Sequence, residues 1–136
     1  MIMMNAYGAI AVIAAVDCQK NGTKPSDAWK KFADAYYGLD SGVTRPVTEK
    51  AGPRNTFIAL CNLGFVPGVR RSLFDSSRIK ENAGYAEKAV EILRGHPELC
   101  RTPTELWPLV HPTLEHQGQM DVVCALFDAG LLTISP

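Results

Sequence analysis

The chain has 136 residues, the size of one ordinary domain, with enough length to bury one sizeable core. Lys and Arg balance Asp and Glu at 14 each, so the global positive charge that marks a nucleic-acid or anionic-membrane binder is missing, and any such binding would need a local patch. Apolar residues at 46% and charged residues at 21% are ordinary globular values and exclude a disordered chain.

The opening run "MIMMNAYGAIAVIAAV" carries no charge through Val16 and superficially resembles a signal peptide. No Lys or Arg precedes it, Asp17 spoils a lipoprotein-type cleavage box at Cys18, and the run is too short to span a bilayer. Residues 5 to about 20 are therefore expected to form a core helix of a cytoplasmic protein with no membrane partner. "SDAWKKFADAYY" follows Pro25 and suits a second helix of about three turns. The stretch 36–53, "YYGLDSGVTRPVTEKAGP", reads as a loop from its Gly, Pro, Ser and Thr. A third helix starts near Pro53, places Phe57, Leu60 and Cys61 on its inner face, and stops at Gly64.

After the positive segment "PGVRRSLFDSSRIKEN" the pattern starts again. From about Asn82 to Leu93, Tyr85, Ala89, Ile92 and Leu93 fall on one helical stripe, opposite Glu87, Lys88, Glu91 and Arg94, and Gly95 is expected as a left-handed stop. "TPTE" follows, with Thr102 as the expected N-cap, Pro103 at the first helical position and Glu105 completing a capping box. Pro108 and Pro112 make this helix short or broken. The last helix, from Gln119, buries Val123, Leu126 and Phe127 and ends at Gly130.

The two halves match each other. At one constant offset, Tyr7 meets Tyr85, Ala11-Val12 meets Ala89-Val90, Pro25-Ser26 meets Pro103-Thr104 and Trp29 meets Trp107. "TFIALCNLGFV" then meets "VVCALFDAGLL" at a smaller offset, which puts an insertion of the first half in its loop. The expected fold is mainly α: a tandem duplication of a three-helix unit of about 60 residues, too small to be stable alone, sharing one core across a pseudo-two-fold. The whole of 1–136 is then one domain, with repeat one at about 5–69, a linker at about 70–81 and repeat two at about 82–136. Trp29 and Trp107 are expected as core or seam anchors.

The strings "GPRNTFIALCNLGFVPGV", "SRIKENAGYAEKAVEIL" and "HQGQMDVVCALFDAGLL" resemble those of a family of small bacterial proteins of unassigned function. That resemblance implies a helical fold and brings no activity and no catalytic residue. The middle loop and "WPLVHPTLEH" depart from the family's pattern.

Cys18, Cys61, Cys100 and Cys124 form no C-x-x-C pair, and Cys61 and Cys124 lie in apolar helical runs, so buried thiols in a reducing compartment are expected. His111, His116 and Asp121 are the most polar short constellation, but the histidines are five apart around Pro112 and do not share a helix face as metal-binding pairs do. No P-loop, nucleophile elbow or dinucleotide fingerprint is present, and no catalytic, metal or cofactor residue is assigned. The better candidates are Arg54, at a helix start where backbone N–H groups also point outward, and Arg70, Arg71, Arg78 and Lys80 in the segment joining the halves. The alternative for that segment is a solvated linker whose arginines pair with Asp75 and Glu81.

Three function classes follow, in order. The first is a non-catalytic binding module that uses the inter-repeat groove or the arginine-rich linker to hold a protein partner or a small anionic ligand. The second is a nucleic-acid binder with helix-turn-helix-like halves, for which Asn55, Gln117 and Gln119 are the few base-reading candidates. A small enzyme or metal site around His111, His116 and Asp121 comes third.

Overall fold

The computed structural model describes residues 6–38, 51–69, 77–111 and 118–133. Within them the chain is mainly helical and has no strand. The elements are α1 (Ala6–Asn21), α2 (Pro25–Tyr36), α3 (Ala51–Asn62), α4 (Ser77–Gly95), a 3-10 segment (Pro97–Arg101), α5 (Pro103–Val110) and α6 (Gln119–Asp128).

Each helix forms where apolar spacing and local signals agree. Small side chains let α1 approach its neighbours closely: Ala11, Ala14, Ala15 and Cys18 are buried together with Ile10. α2 starts on Pro25, whose fixed φ and missing N–H suit the first helical position. It buries Ala28, Trp29 and Ala33 and leaves Lys30 exposed, 2.8 Å from Asp34 one turn on. α3 and α6 are the centre. Every α3 residue except Ala51 and Arg54 is buried, and α6 buries Gln119, Met120 and the run Val122 to Leu126.

Helix packing follows from that burial. α3 lies against α6, α1 packs on α6, and α4 packs on α3, while α2 and α5 cover the sides against α1 and α4. Trp29 on α2 meets Phe57 on α3 at 5.6 Å between ring centroids, and Trp107 on α5 meets Tyr85 on α4 edge-on at 5.5 Å. Both tryptophans are core anchors at 3% exposure. Gly118, just before α6, lets α1 come close: a Cβ there would stand 2.7 Å from the Tyr7 ring, and its φ of 97° is one that only glycine adopts freely.

The ends of α3 and α6 are built alike. Gly64 and Gly130 have φ of 83° and 72°. The N–H of the next residue, Phe65 or Leu131, donates back to Leu60 or Leu126, while the glycine N–H donates to Cys61 or Phe127, the Schellman arrangement. Val66 and Leu132 are then buried over the helix ends, and the Thr133 N–H donates to the Phe65 carbonyl at 2.7 Å, tying the two terminations together.

Three local expectations are corrected. The capping box at Thr102 does not form. The Glu105 N–H that the Thr102 hydroxyl would cap already donates to the Thr102 carbonyl at 2.9 Å, and the Thr102 side chain makes no cap hydrogen bond. Gly95 is the last residue of α4 and not a left-handed stop. The helix ends because Pro97 disfavours helical geometry at His96, whose φ is −139°. The second-half helix also starts earlier than Asn82 and takes in residues 77–81 of the expected linker, because Ile79 and Ala83 bury against Ile58 and Ala59 of α3.

Among the described residues one charged side chain is held inside. Asp17 on α1 is 6% exposed; its Oδ1 accepts a hydrogen bond from Asn21 at 2.7 Å and lies 3.7 Å from Lys31 Nζ on α2. Hydrogen bonding from Asn21 first, then from Thr23, with the Lys31 charge adding, holds its carboxyl below the ordinary 3.8.

Two outcomes follow. Gly130→Ala, with open space around it but positive φ, should cost about 1 kcal/mol, whereas Gly95→Ala, at a helical end with φ outside that region, should be neutral or stabilising by up to about 1 kcal/mol; denaturant unfolding of both variants measures the contrast. Because the native pKa of Asp17 is depressed, its contribution is present above the unfolded-state value and lost as pH falls through the native one. Asp17→Asn should therefore be less stable than the parent at neutral pH, and the difference in unfolding midpoint should close as the pH falls below about 4.

Candidate functional site

The first turn of α3 is where charge, backbone donors and buried polar groups meet. Arg54 is half-buried there, and its Nη1 donates to Asn55 Oδ1 at 3.0 Å. Asn55 itself is 5% exposed. One residue on, the fully buried Thr56 hydroxyl donates to the Gly52 carbonyl at 2.8 Å and lies 3.3 Å from Asn82 Oδ1 on α4. Asn82 is buried as well, so this polar group is internal and fixes the register of α3 on α4.

That register decides where the cations stand. Thr56 meets Asn82, while Ile79 joins the cluster formed by Ile58, Ala59 and Leu63, so α3 and α4 run antiparallel. Arg54 therefore faces the part of α4 beyond Asn82, with Lys80 about one turn and Arg78 between one and two turns back along that helix, roughly 6 and 9 Å along its axis. Lys80 is exposed. Arg70 and Arg71 lie outside the described residues, as does the side chain of Arg78.

The His111, His116 and Asp121 constellation is divided. His111 closes the C-terminus of α5, with its ring stacked on Trp107 at 6.1 Å and 17° and edge-on to Tyr85 at 5.4 Å. Asp121 stands in the first turn of α6, where a carboxylate interacts favourably with the helix N-terminus, and His116 lies outside the described residues. Among the described residues no group of three or more His, Cys, Asp or Glu side chains is placed to hold a metal ion. Trp107, His111 and Tyr85 form an aromatic cluster that was not foreseen from sequence. Its signal was the four-residue spacing of Trp107 and His111, which brings side chains together on one helix face.

The candidate base-reading residues are inside. Asn55, near the start of α3, and Gln119, the first residue of α6, are 5% and 3% exposed, and Gln117 lies outside the described residues. Neither third helix presents an open face for the major groove among the described residues.

With the arrangement established, comparison with known proteins gives one result. The model of a family of unknown function, DUF6979, matches residues 4–133. The chain belongs to this family. No curated protein and no solved structure matches it. Among its described residues no helix is long and apolar enough to cross a membrane.

All four cysteines are buried and free. Burial pushes the Cys18 thiol up to about 11, with the Asp17 charge adding, and burial raises Cys61 further, beside Cys18. Cys124 is raised by its hydrogen bond with Cys100 and then by burial. Thiolate, the reactive form, is thus suppressed at these positions. Alkylation of the native protein at neutral pH, mapped by mass spectrometry, should leave Cys61 and Cys124 unmodified on the timescale in which denaturant releases all four thiols. Rapid labelling of either would contradict the packing.

Proposed function

We propose that the protein is a non-catalytic binding module that holds a protein partner or a small anionic ligand, and that it arose by tandem duplication of a three-helix unit. The burial of both third helices carries the functional reading. Taking α3 and α6 into the core withdraws Asn55 and Gln119 from any ligand and leaves recognition to the exposed and half-buried groups around them: Arg54, Lys80 and the Tyr85–His111 edge. An anion at the start of α3 would meet the half-buried Arg54 guanidinium. Arg70, Arg71 and Arg78 extend the same charge along the chain toward α4.

The pattern of helix contacts supports the duplication. Exchanging α1, α2 and α3 for α4, α5 and α6 turns the α1–α6 contact into α4–α3 and α2–α3 into α5–α6, and leaves α3–α6 unchanged. The matching terminations at Gly64 and Gly130 and the equal burial of Trp29 and Trp107 accord with the same exchange. The first helix of each half then packs on the third helix of the other, so neither half is a separable binding unit, and the inter-repeat seam becomes one continuous surface.

The test compares two binding modes. Calorimetric titration with inorganic phosphate and with an acidic peptide should show binding that Arg54→Ala weakens by about tenfold or more, the scale of a lost charge-assisted hydrogen bond. Fluorescence anisotropy with duplex DNA at about 0.15 M salt should show only weak, sequence-independent binding that falls steeply with added salt. Sub-micromolar, sequence-dependent DNA binding would replace the module reading with the nucleic-acid one.

A further inference from the structure

The turn from α1 into α2 holds a pair that occurs nowhere else in the chain, Asn21 followed by Gly22. Every other asparagine precedes a residue that carries a side chain: Asn5 precedes Ala6, Asn55 precedes Thr56, Asn62 precedes Leu63 and Asn82 precedes Ala83. The distinction is chemical. A backbone nitrogen can attack the side-chain carbonyl of the asparagine before it, closing a cyclic imide and expelling ammonia, and a Cβ on the attacking residue hinders that closure. Asn21 and Gly22 are both exposed, and a Cβ on Gly22 would meet nothing within 4 Å, so water reaches the pair and the backbone has room to turn. Asn55 and Asn62 are instead buried on α3, and Asn82 is buried on α4.

Two hydrogen bonds hold the pair back from reaction. The Gly22 N–H, whose nitrogen would attack, donates to the Cys18 carbonyl at 3.1 Å and closes the last turn of α1. Asn21 Nδ2, which would leave, donates to Asp17 Oδ1 at 2.7 Å. Asp17 is 6% exposed and the same oxygen lies 3.7 Å from Lys31 Nζ on α2, so the Asn21 amide belongs to the polar brace between the two helices. Both bonds must open before the ring can close. An exposed helix end frays in this way without global unfolding.

We propose that Asn21 is a site of spontaneous deamidation, restrained by the last turn of α1 and by Asp17, and that its conversion breaks the brace between α1 and α2. When the turn opens, the Gly22 nitrogen gives its proton to solvent and bonds to Asn21 Cγ. Nδ2 takes up a proton, the Cγ–Nδ2 bond breaks, and ammonia leaves. Water then adds to one of the two imide carbonyls and the ring C–N bond at that carbonyl breaks, which yields aspartate from opening at Cγ and isoaspartate from opening at the backbone carbonyl. In sum, asparagine and water become a carboxylic acid and ammonia, with no oxidant or reductant. Either product replaces a donor with a carboxylate. Asp17 loses a hydrogen bond and gains a like charge one helical turn away, at a helix C-terminus that itself disfavours an anion. Lys20 and Lys24 are exposed and offset that charge only weakly. The isoaspartate form also lengthens the backbone by one carbon where α1 turns into α2.

The test is incubation of the folded protein at neutral pH and physiological temperature, followed by peptide mapping that separates asparagine, aspartate and isoaspartate forms. Conversion should appear at Asn21 before any other asparagine. Full unfolding in urea should speed it by about tenfold or more, the scale of the hydrogen bonds released, and Asp17→Ala should speed it several-fold in the folded chain. Circular dichroism establishes that Asp17→Ala is folded, and Asp17→Ser serves in its place if it is not. Asn21→Asp should lower the urea midpoint, and adding Asp17→Asn, which returns one amide and one carboxylate to the contact, should recover part of the loss. Earlier conversion at another asparagine overturns the proposal, as does conversion that appears only at urea concentrations that unfold the whole protein. Equal rates at Asn21 in the folded and unfolded chains, or an Asn21→Asp midpoint equal to that of the parent, would also overturn it.

Discussion

The contact between α3 and α6 is the constraint on which the rest of the structure depends. Both helices are buried on nearly every face, so each must be surrounded by other helices, and six short helices can do this only by sharing them. α1 covers α6 and α4 covers α3, which sends each half's first helix across to the far side of the core. Burial of Phe57, Leu60, Met120 and Leu126, each worth about 1.5–3 kcal/mol, is thereby gained only when both halves are present. A unit of about 60 residues lacks the burial to stand alone, and cross-packing removes that weakness.

The same constraint directs function outward. A helix that is wrapped on all sides cannot enter a DNA groove, and the polar side chains at its start serve the register: Thr56 against Asn82, with Arg54 braced by Asn55. The polar groups that the described residues leave at the surface stand at the edge of the core. There α5 ends on His111, stacked over Trp107 and beside Tyr85.

The ends of α1 and α4 are held differently. α1 runs unbroken to Asn21 and carries Asp17 and Cys18 in its last turns, held by Asn21 and by Lys31 of α2. α4 is stopped by Pro97, and the 3-10 segment that follows packs on α6 and buries Cys100. One proline therefore separates a continuous α-helical end with an ionic brace from a 3-10 segment in which Cys100 is the buried side chain.

Much of the fold was legible in sequence because it was written in local terms. Apolar periodicity, Pro25 and Pro103 at helix starts, and Gly64 and Gly130 at positive φ determined which segments are helical and where they stop. The two tryptophans were recognisable as core anchors from their matching places alone. The Thr102 capping box and the left-handed stop at Gly95 were misread, since each looked sufficient locally and each lost to a neighbouring bond or proline. The start of α4 was misplaced because the partners of Ile79, Ile58 and Ala59, lie far away in the chain. The charged candidates were legible as a list and not as an arrangement. Only the antiparallel packing of α3 on α4 decides that Arg54 stands between one and two turns from Lys80 and Arg78. Periodicity tells a helix which face to bury, whereas the choice of what it is buried against is made by helices distant in sequence.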